Sequence, residues 1–207
     1  NGKSIVNSPK HITSLLDFES TFGRAADFGK ISITLDGQNG VAGVDFENKY
    51  YLYDSVRMFF ANGGGECYIV SVGLYGEDVD MDALLGGVKA LEKEDHPTIL
   101  ACPDAMLLDK KDQAYGVQEA MLMQCNNLQD RVAVLDVFDG YKDRASEDVV
   151  LDFRNGIGVN FLKYGASYYP WIQTTLSNDF GFENIVIKDA EGEEVNLEDV
   201  VSDPTAV

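Results

Sequence analysis

Three aspartates stand just beyond apolar runs that read as strands: Asp104 in ACPDAM, and Asp136 and Asp139 in LDVFDGYKD. In an open parallel sheet, ligands bind past the carboxyl ends of the strands. Carboxylates converging there would supply the oxygen ligands that Mg²⁺ takes, and the chemistry would be phosphoryl hydrolysis or transfer. The same position has a plainer use, because an aspartate after a strand also caps the following helix. No lysine, histidine or serine stands nearby in a recognisable motif. Capping is therefore the reading adopted, the chain is taken as a non-enzyme, and no catalytic, cofactor-binding or metal residue is assigned.

Other spacings fail sooner. Asp78, Asp80 and Asp82 alternate as in a calcium loop, but position six would be Ala83 instead of glycine and position twelve Lys89 instead of glutamate. The glycines of NGGGE, from Asn62, follow a helical pattern and precede a strand, the reverse of a phosphate loop, so they read as a helix end and a tight corner. Two histidines, His11 and His96, lie in loop-like contexts without a nucleophile elbow. Cys67, Cys102 and Cys125 have no zinc spacing, and each sits in an apolar run, as a reduced core thiol would. Tyr164, Tyr168, Tyr169 and Trp171 make YGASYYPWI aromatic; core and subunit interface remain equal readings for it.

The elements that must position these residues follow from periodicity. HITSLLDFESTFG predicts a short helix capped by Ser14 and stopped at Gly23, and ISITL, at 31–35, predicts a strand ending in the turn DGQNG. A helix over 49–61 places Leu52, Val56, Phe59 and Phe60 toward a core, and CYIVSV follows as a buried strand. Helices over 82–93, over 112–127 and from Ser146 then alternate with strands at 98–102, 131–137 and 166–172. That rhythm predicts an α/β fold, a doubly wound and mainly parallel sheet with helices on both faces. A β-hairpin appendage is expected from NIVI, DAEG and EEVNL. Residues 1–172 are read as the α/β domain, and 173–207 as a polar acidic linker or hairpin segment.

Composition narrows the partners. Of 207 residues, 35 are acidic and 16 basic, a formal charge of −19, which repels phosphate backbones and anionic lipid. Nucleic acid and membrane are thereby poor partners. From Lys188 onward seven acids accompany one lysine, a solvated stretch more than a docking tail. No run approaches the roughly 20 apolar residues that span a bilayer, and the first residues carry no apolar signal core.

Taken in order, five segments carry a resemblance: HITSLLDFESTFG; YYLYDSVRMFFANGGGECYIVSVG; LEKED before TILACPDA; MLMQCNNLQDRVAVLDV; and YGASYYPWI. The series resembles the contractile tail sheath family, the sheath subunits of contractile phage tails and related bacterial injection particles. It covers roughly residues 4–172. The resemblance implies a subtilisin-like α/β domain kept as architecture without a protease triad. It further implies a subunit that stacks in helical rings around an inner tube and drives the tube on contraction. Its partners would be other copies of the subunit, the inner tube and baseplate proteins, and its assembly would be cytoplasmic, within a virion tail or injection particle. The family's N-terminal arm and C-terminal domain are not recognisable. The chain is therefore expected to be the middle of a subunit and to be monomeric when isolated.

Overall fold

The computed structural model describes residues 5–27, 29–38, 40–47, 49–177 and 181–196, without the side chain of Phe182. The end of the acidic stretch, 197–207, lies outside the described residues. Along the chain come β1 (Lys10–Ile12), α1 (Leu15–Phe22), β2 (Ile31–Leu35), β3 (Val41–Phe46), α2 (Leu52–Ala61), β4 (Cys67–Ile69) and α3 (Met81–Ala90). They are followed by β5 (Ile99–Leu100), α4 (Lys111–Leu128), β6 (Val132–Asp136), α5 (Val149–Gly156), β7 (Gly165–Tyr168), β8 (Ile185–Lys188) and β9 (Glu194–Val195). The protein is thus mixed α/β, with parallel and antiparallel strands in three sheets among the described residues. No helix among them is long and apolar enough to cross a membrane. The chain divides into two compact units, Asn1–Ala25 with Tyr50–Leu176 and Ala26–Lys49 with Ser177–Val207.

In the first unit, local signals start and stop the helices. Ser14 accepts the Asp17 N–H at 3.1 Å, and Gly23, at φ +92°, ends α1 in a conformation that suits glycine. β1 and β4 pair antiparallel, with Lys10 opposite Ile69. Ile12 and Ile69 from these strands meet Phe18 of α1 and Val56 of α2 in a small buried cluster. Phe59, expected in that core, is 44% exposed. The inward stripe is Leu52, Val56 and Phe60 at i, i+4 and i+8, which leaves Phe59 at its margin, edge-on to Phe60 at 5.2 Å.

The larger core lies under a three-stranded parallel sheet in the order β5-β6-β7. Leu100 pairs with Ala133, and Ala133 with Gly165. Leu100, Ala133 and Leu135 point to one face and are buried with Ala114, Val117 and Leu122 of α4. Side chains alternate along a strand, so their neighbours face the other way. On that second face Ile99 is 61% exposed, Val132 43% and Tyr168 70%. The expected sheet is therefore divided: β4 pairs with β1, while the three later strands pair among themselves.

Two buried polar side chains fix α3 against this core. The guanidinium of Arg131 donates to the carbonyls of Leu91 at 3.0 Å and Glu94 at 2.6 Å, and to Asp130 at 2.7 Å. Gln124 of α4 donates to the Val88 carbonyl at 2.6 Å. These bonds tie carbonyls at the end of α3 and in the turn after it to the next layer. At α5 the cap is Asp148, which accepts the Leu151 N–H at 3.1 Å, in place of the expected Ser146. The Ser146 hydroxyl donates instead to the Asp143 carbonyl at 2.7 Å.

The second unit is a four-stranded sheet in the order β3-β2-β8-β9. Asp36 accepts the N–H groups of Gln38 and Gly40, both at 2.8 Å, and the turn folds β3 antiparallel onto β2. β8 joins β2 in parallel, Ile31 opposite Ile185, and β9 returns antiparallel to β8. Residues 26–49, read from sequence as part of the 1–172 domain, therefore pair with the segment read as a linker. Every strand has two hydrogen-bonding edges, and the side-chain alternation along ISITL does not say which segment takes either of them. VAGVDF, broken by Gly43 and Asp45, gave no strand signal.

Candidate functional site

Asp104 sits in a 3-10 turn, Pro103–Leu107, after β5. Its Oδ1 accepts the backbone N–H groups of Tyr51 at 2.5 Å and Leu52 at 3.2 Å. It caps a helix, as the plainer sequence reading held, but the helix is α2, about fifty residues back in the chain, and not the next one. Burial pushes its carboxyl above the ordinary value, and the two backbone donors oppose that shift.

Asp136 ends β6, where its carbonyl accepts Gln118 Nε2 at 2.8 Å. Burial alone pushes its carboxyl up. Asp139 adopts φ +54°, a left-handed conformation that aspartate tolerates, and pairs with Lys142 at 2.8 Å. Asp104 and Asp139 thus have separate side-chain partners, and Asp136 is engaged through its carbonyl. Among the described residues no three His, Cys, Asp or Glu side chains are grouped to hold a metal ion.

The remaining candidates also have structural occupations. Asp80 caps α3, accepting the Ala83 N–H at 2.8 Å. His11 bonds Glu66 at 2.9 Å with its ring 5.2 Å from that of Tyr68, and His96 stacks with the same tyrosine at 6.2 Å. Desolvation raises the Cys102 thiol to about 12 and raises Cys67 and Cys125 as well, so none is poised as a thiolate nucleophile. At the glycine corner, Asn62 donates to the Met58 carbonyl at 2.8 Å and Gly63 takes φ +84°. A Cβ on Gly64 would come within 2.5 Å of the Phe59 ring. The run is a helix end folded back on its own last turn.

The aromatic segment divides. Trp171 packs against the main core, donates Nε1–H to the Val137 carbonyl at 2.9 Å, and meets Tyr51 edge-on at 5.8 Å and Tyr141 at 5.5 Å. Tyr169 donates to the Lys142 carbonyl at 3.0 Å. Tyr168 faces out. Sequence reasoning missed Tyr51 and Tyr141 as partners of Trp171, and no local signal joins residues so far apart. It also missed Gln118 and Gln124, although polar residues inside the apolar face of a long helix are such a signal.

The described residues of the first unit line at least two concavities. An apolar cleft of about 350 Å³ lies between the chain leaving β4 and the chain leaving β5, with Val70, Val72, Leu84, Leu100 and Met121 on its walls. A polar cavity of about 360 Å³ lies at the starts of α4 and α5 and the loop after β6. No protein-family model matches the sequence, and no curated protein matches it.

Proposed function

We propose that the chain is a structural part of a contractile tail sheath subunit, which stacks in helical rings around the inner tube of a phage tail or bacterial injection system and drives it on contraction. The observation that carries this reading is the second face of the parallel sheet, on which Ile99, Val132 and Tyr168 are exposed and Val134 and Asp136 half-buried. Parallel sheets are found with both faces covered, so this face suits contact with another molecule. The ordered series of five segments supplies the family.

In this reading the doubly wound sheet, with layers on both faces, is the arrangement of the assembled subunit, and the β8–β9 pair is the hairpin through which its C-terminal part is reached. Other copies, the inner tube and the baseplate are the partners, and the acidic surface keeps nucleic acid and lipid away. A Mg²⁺-dependent phosphoryl reaction is the weaker reading, because Asp104 Oδ1 already accepts two backbone donors.

The test is electron microscopy of the complete open reading frame that contains this segment, co-expressed with its genomic neighbours. Hollow helical tubes or stacked rings are expected. A protein that stays dispersed as monomers throughout overturns the proposal.

A further inference from the structure

The parallel sheet β5-β6-β7 and the antiparallel pair β1-β4 belong to one compact unit but share no strand pairing. The apolar cleft of about 350 Å³ lies where they would meet, with the main chain from Ile69 to Leu74 along one side and that from Leu100 to Asp104 along the other. β4 is covered on both faces by different helices. Ile69 packs with Phe18 of α1, while Val70 and Val72 face α3, where a Cβ on Gly87 would stand 2.5 Å from the Val72 side chain and 3.7 Å from that of Val70. Yet Phe18 and Leu52 from the first layer and Leu84 and Met121 from the second line the same cavity. A cavity that reaches both layers passes between β4 and β5, through the plane that a continuous sheet would occupy.

The strand edges on either side of this gap face it with their main-chain groups. Val132 N–H donates to the Thr98 carbonyl at 2.9 Å, so Thr98 and Leu100 turn their backbone groups toward β6, and Ile99 and Ala101, which alternate with them, turn theirs away from it. On the other side Asn7 N–H donates to the Ser71 carbonyl at 2.8 Å, along the edge of β4 that β1 takes, so Val70 and Val72 turn theirs away from β1. Among the described residues no hydrogen bond joins 69–74 to 99–104. Backbone groups withdrawn from water are otherwise almost always paired.

Charge selects the occupant further. The charged side chains on the walls are Glu77, Asp78, Asp80 and Asp104, with no lysine, arginine or histidine among the described residues that line the cleft. We propose that an extended peptide segment of a partner chain enters this gap as a strand between β4 and β5 and joins the two sheets into one, its central residues apolar and its flanks carrying lysine or arginine. An added strand takes its affinity from main-chain bonds to open edges and its selectivity from the side chains around it. A strand with both faces covered is apolar throughout, and the acidic walls match basic flanks. At about 3.3 Å per residue, the facing stretches 70–72 and 99–101 suit about three residues of the entering strand. A small apolar ligand would fill the same space but leave the outward groups of Val72 and Ala101 without partners. The site does not depend on the sheath reading.

The test is amide hydrogen exchange and shift titration of the ¹⁵N-labelled chain with a blocked heptapeptide of three central valines and two lysines at each end. Three comparisons run at the same ionic strength: the peptide with glutamates for lysines, the peptide with proline for its middle valine, and n-hexylammonium. The Val72 and Ala101 amides should exchange rapidly in the free chain and slow about tenfold or more at saturation with the lysine peptide. The glutamate and proline peptides should bind about tenfold more weakly, and n-hexylammonium should not displace the lysine peptide. Ala101→Pro removes an outward N–H and leaves the bonds to β6, so it should weaken binding about fivefold. Asp80 and Asp104 cap helices and Glu77 accepts the Leu74 N–H, so Asp78 is the wall carboxylate to change without losing such a bond. Asp78→Asn should weaken binding about twofold. Slow exchange at Val72 and Ala101 in the free chain, absence of saturable shifts, equal binding of the proline or glutamate peptide, or displacement by n-hexylammonium overturns the proposal. Should Ala101→Pro fail to fold, the proline peptide makes the same comparison on the parent chain.

Discussion

The Oδ1 of Asp104 accepts the backbone N–H of Tyr51 at 2.5 Å, joining the turn after β5 to the start of α2. One carboxylate also serves Leu52, so two of the four donors that a helix start leaves unsatisfied are met from a distant part of the chain. Asp104→Ala should lower stability by about 1–3 kcal/mol, the usual range for a lost cap with a buried unpaired donor. Asp104→Asn retains an acceptor and should lose less. Urea unfolding of both variants checks this; an unchanged midpoint in Asp104→Ala would show that water replaces the cap at no cost.

Asp136 gives a pH signature. Its carboxyl is raised above 3.8 by burial, so the folded state binds a proton more tightly than the unfolded state. Stability then falls as pH rises from 3.8 through the raised folded value, and stays reduced above it. Asp136→Asn removes this penalty while leaving the carbonyl that Gln118 binds. The variant should match the parent at the acid end and become more stable than it toward neutral pH. Urea midpoints measured between pH 4 and 8 decide the matter, and a difference that does not grow with pH contradicts the sign.

Gly140 and Trp171 are bound by close approach. Trp171 N–H donates to the Gly140 carbonyl at 3.0 Å, and both Gly140 N–H and Trp171 Nε1–H donate to the Val137 carbonyl at 2.9 Å. A Cβ on Gly140 would stand 2.5 Å from the indole and 2.8 Å from that same carbonyl oxygen. Gly140→Ala should therefore cost about 1–3 kcal/mol, as overpacking does. The chain has one tryptophan, so its fluorescence reports the displacement directly. A variant with parental emission and parental stability would mean that the loop after β6 yields freely.

Much of the first unit was legible in sequence because its signals are local. Ser14, the 3.6-residue stripe of α2 and the glycine corner after Ala61 each specify an element within a few residues. Strand partners are not local: nothing within CYIVSV says that β4 takes β1 beside it, and nothing within ISITL says that β2 takes β8. Gly43 and Asp45 hid β3, since a strand on an exposed sheet edge has little apolar alternation to show. At the candidate sites, the capping role of aspartate was readable but its target was not. The polar cavity at the starts of α4 and α5 went unseen because its walls come from three separate segments.

The exposed face of the β5-β6-β7 sheet separates assembly from folding. Val132 and Ile99 stand opposite each other in register, 43% and 61% exposed, while their neighbours Ala133 and Leu100 are buried against α4. Val132→Lys and Ile99→Lys therefore leave the core untouched and should change the stability of the isolated chain by no more than about 0.5 kcal/mol. If the proposed sheath reading holds, the same changes would place an ammonium in the contact that covers this face on assembly, and burying an unpaired charge is far costlier. Tubes or rings should be lost while the fold, judged by circular dichroism and thermal unfolding, persists. If Val132→Lys assembles as well as the parent, the bare face is not the contact between subunits. If the variant also fails to fold, the face has an intramolecular role, and the exposed Tyr168→Ala, which removes apolar area without adding charge, becomes the deciding comparison.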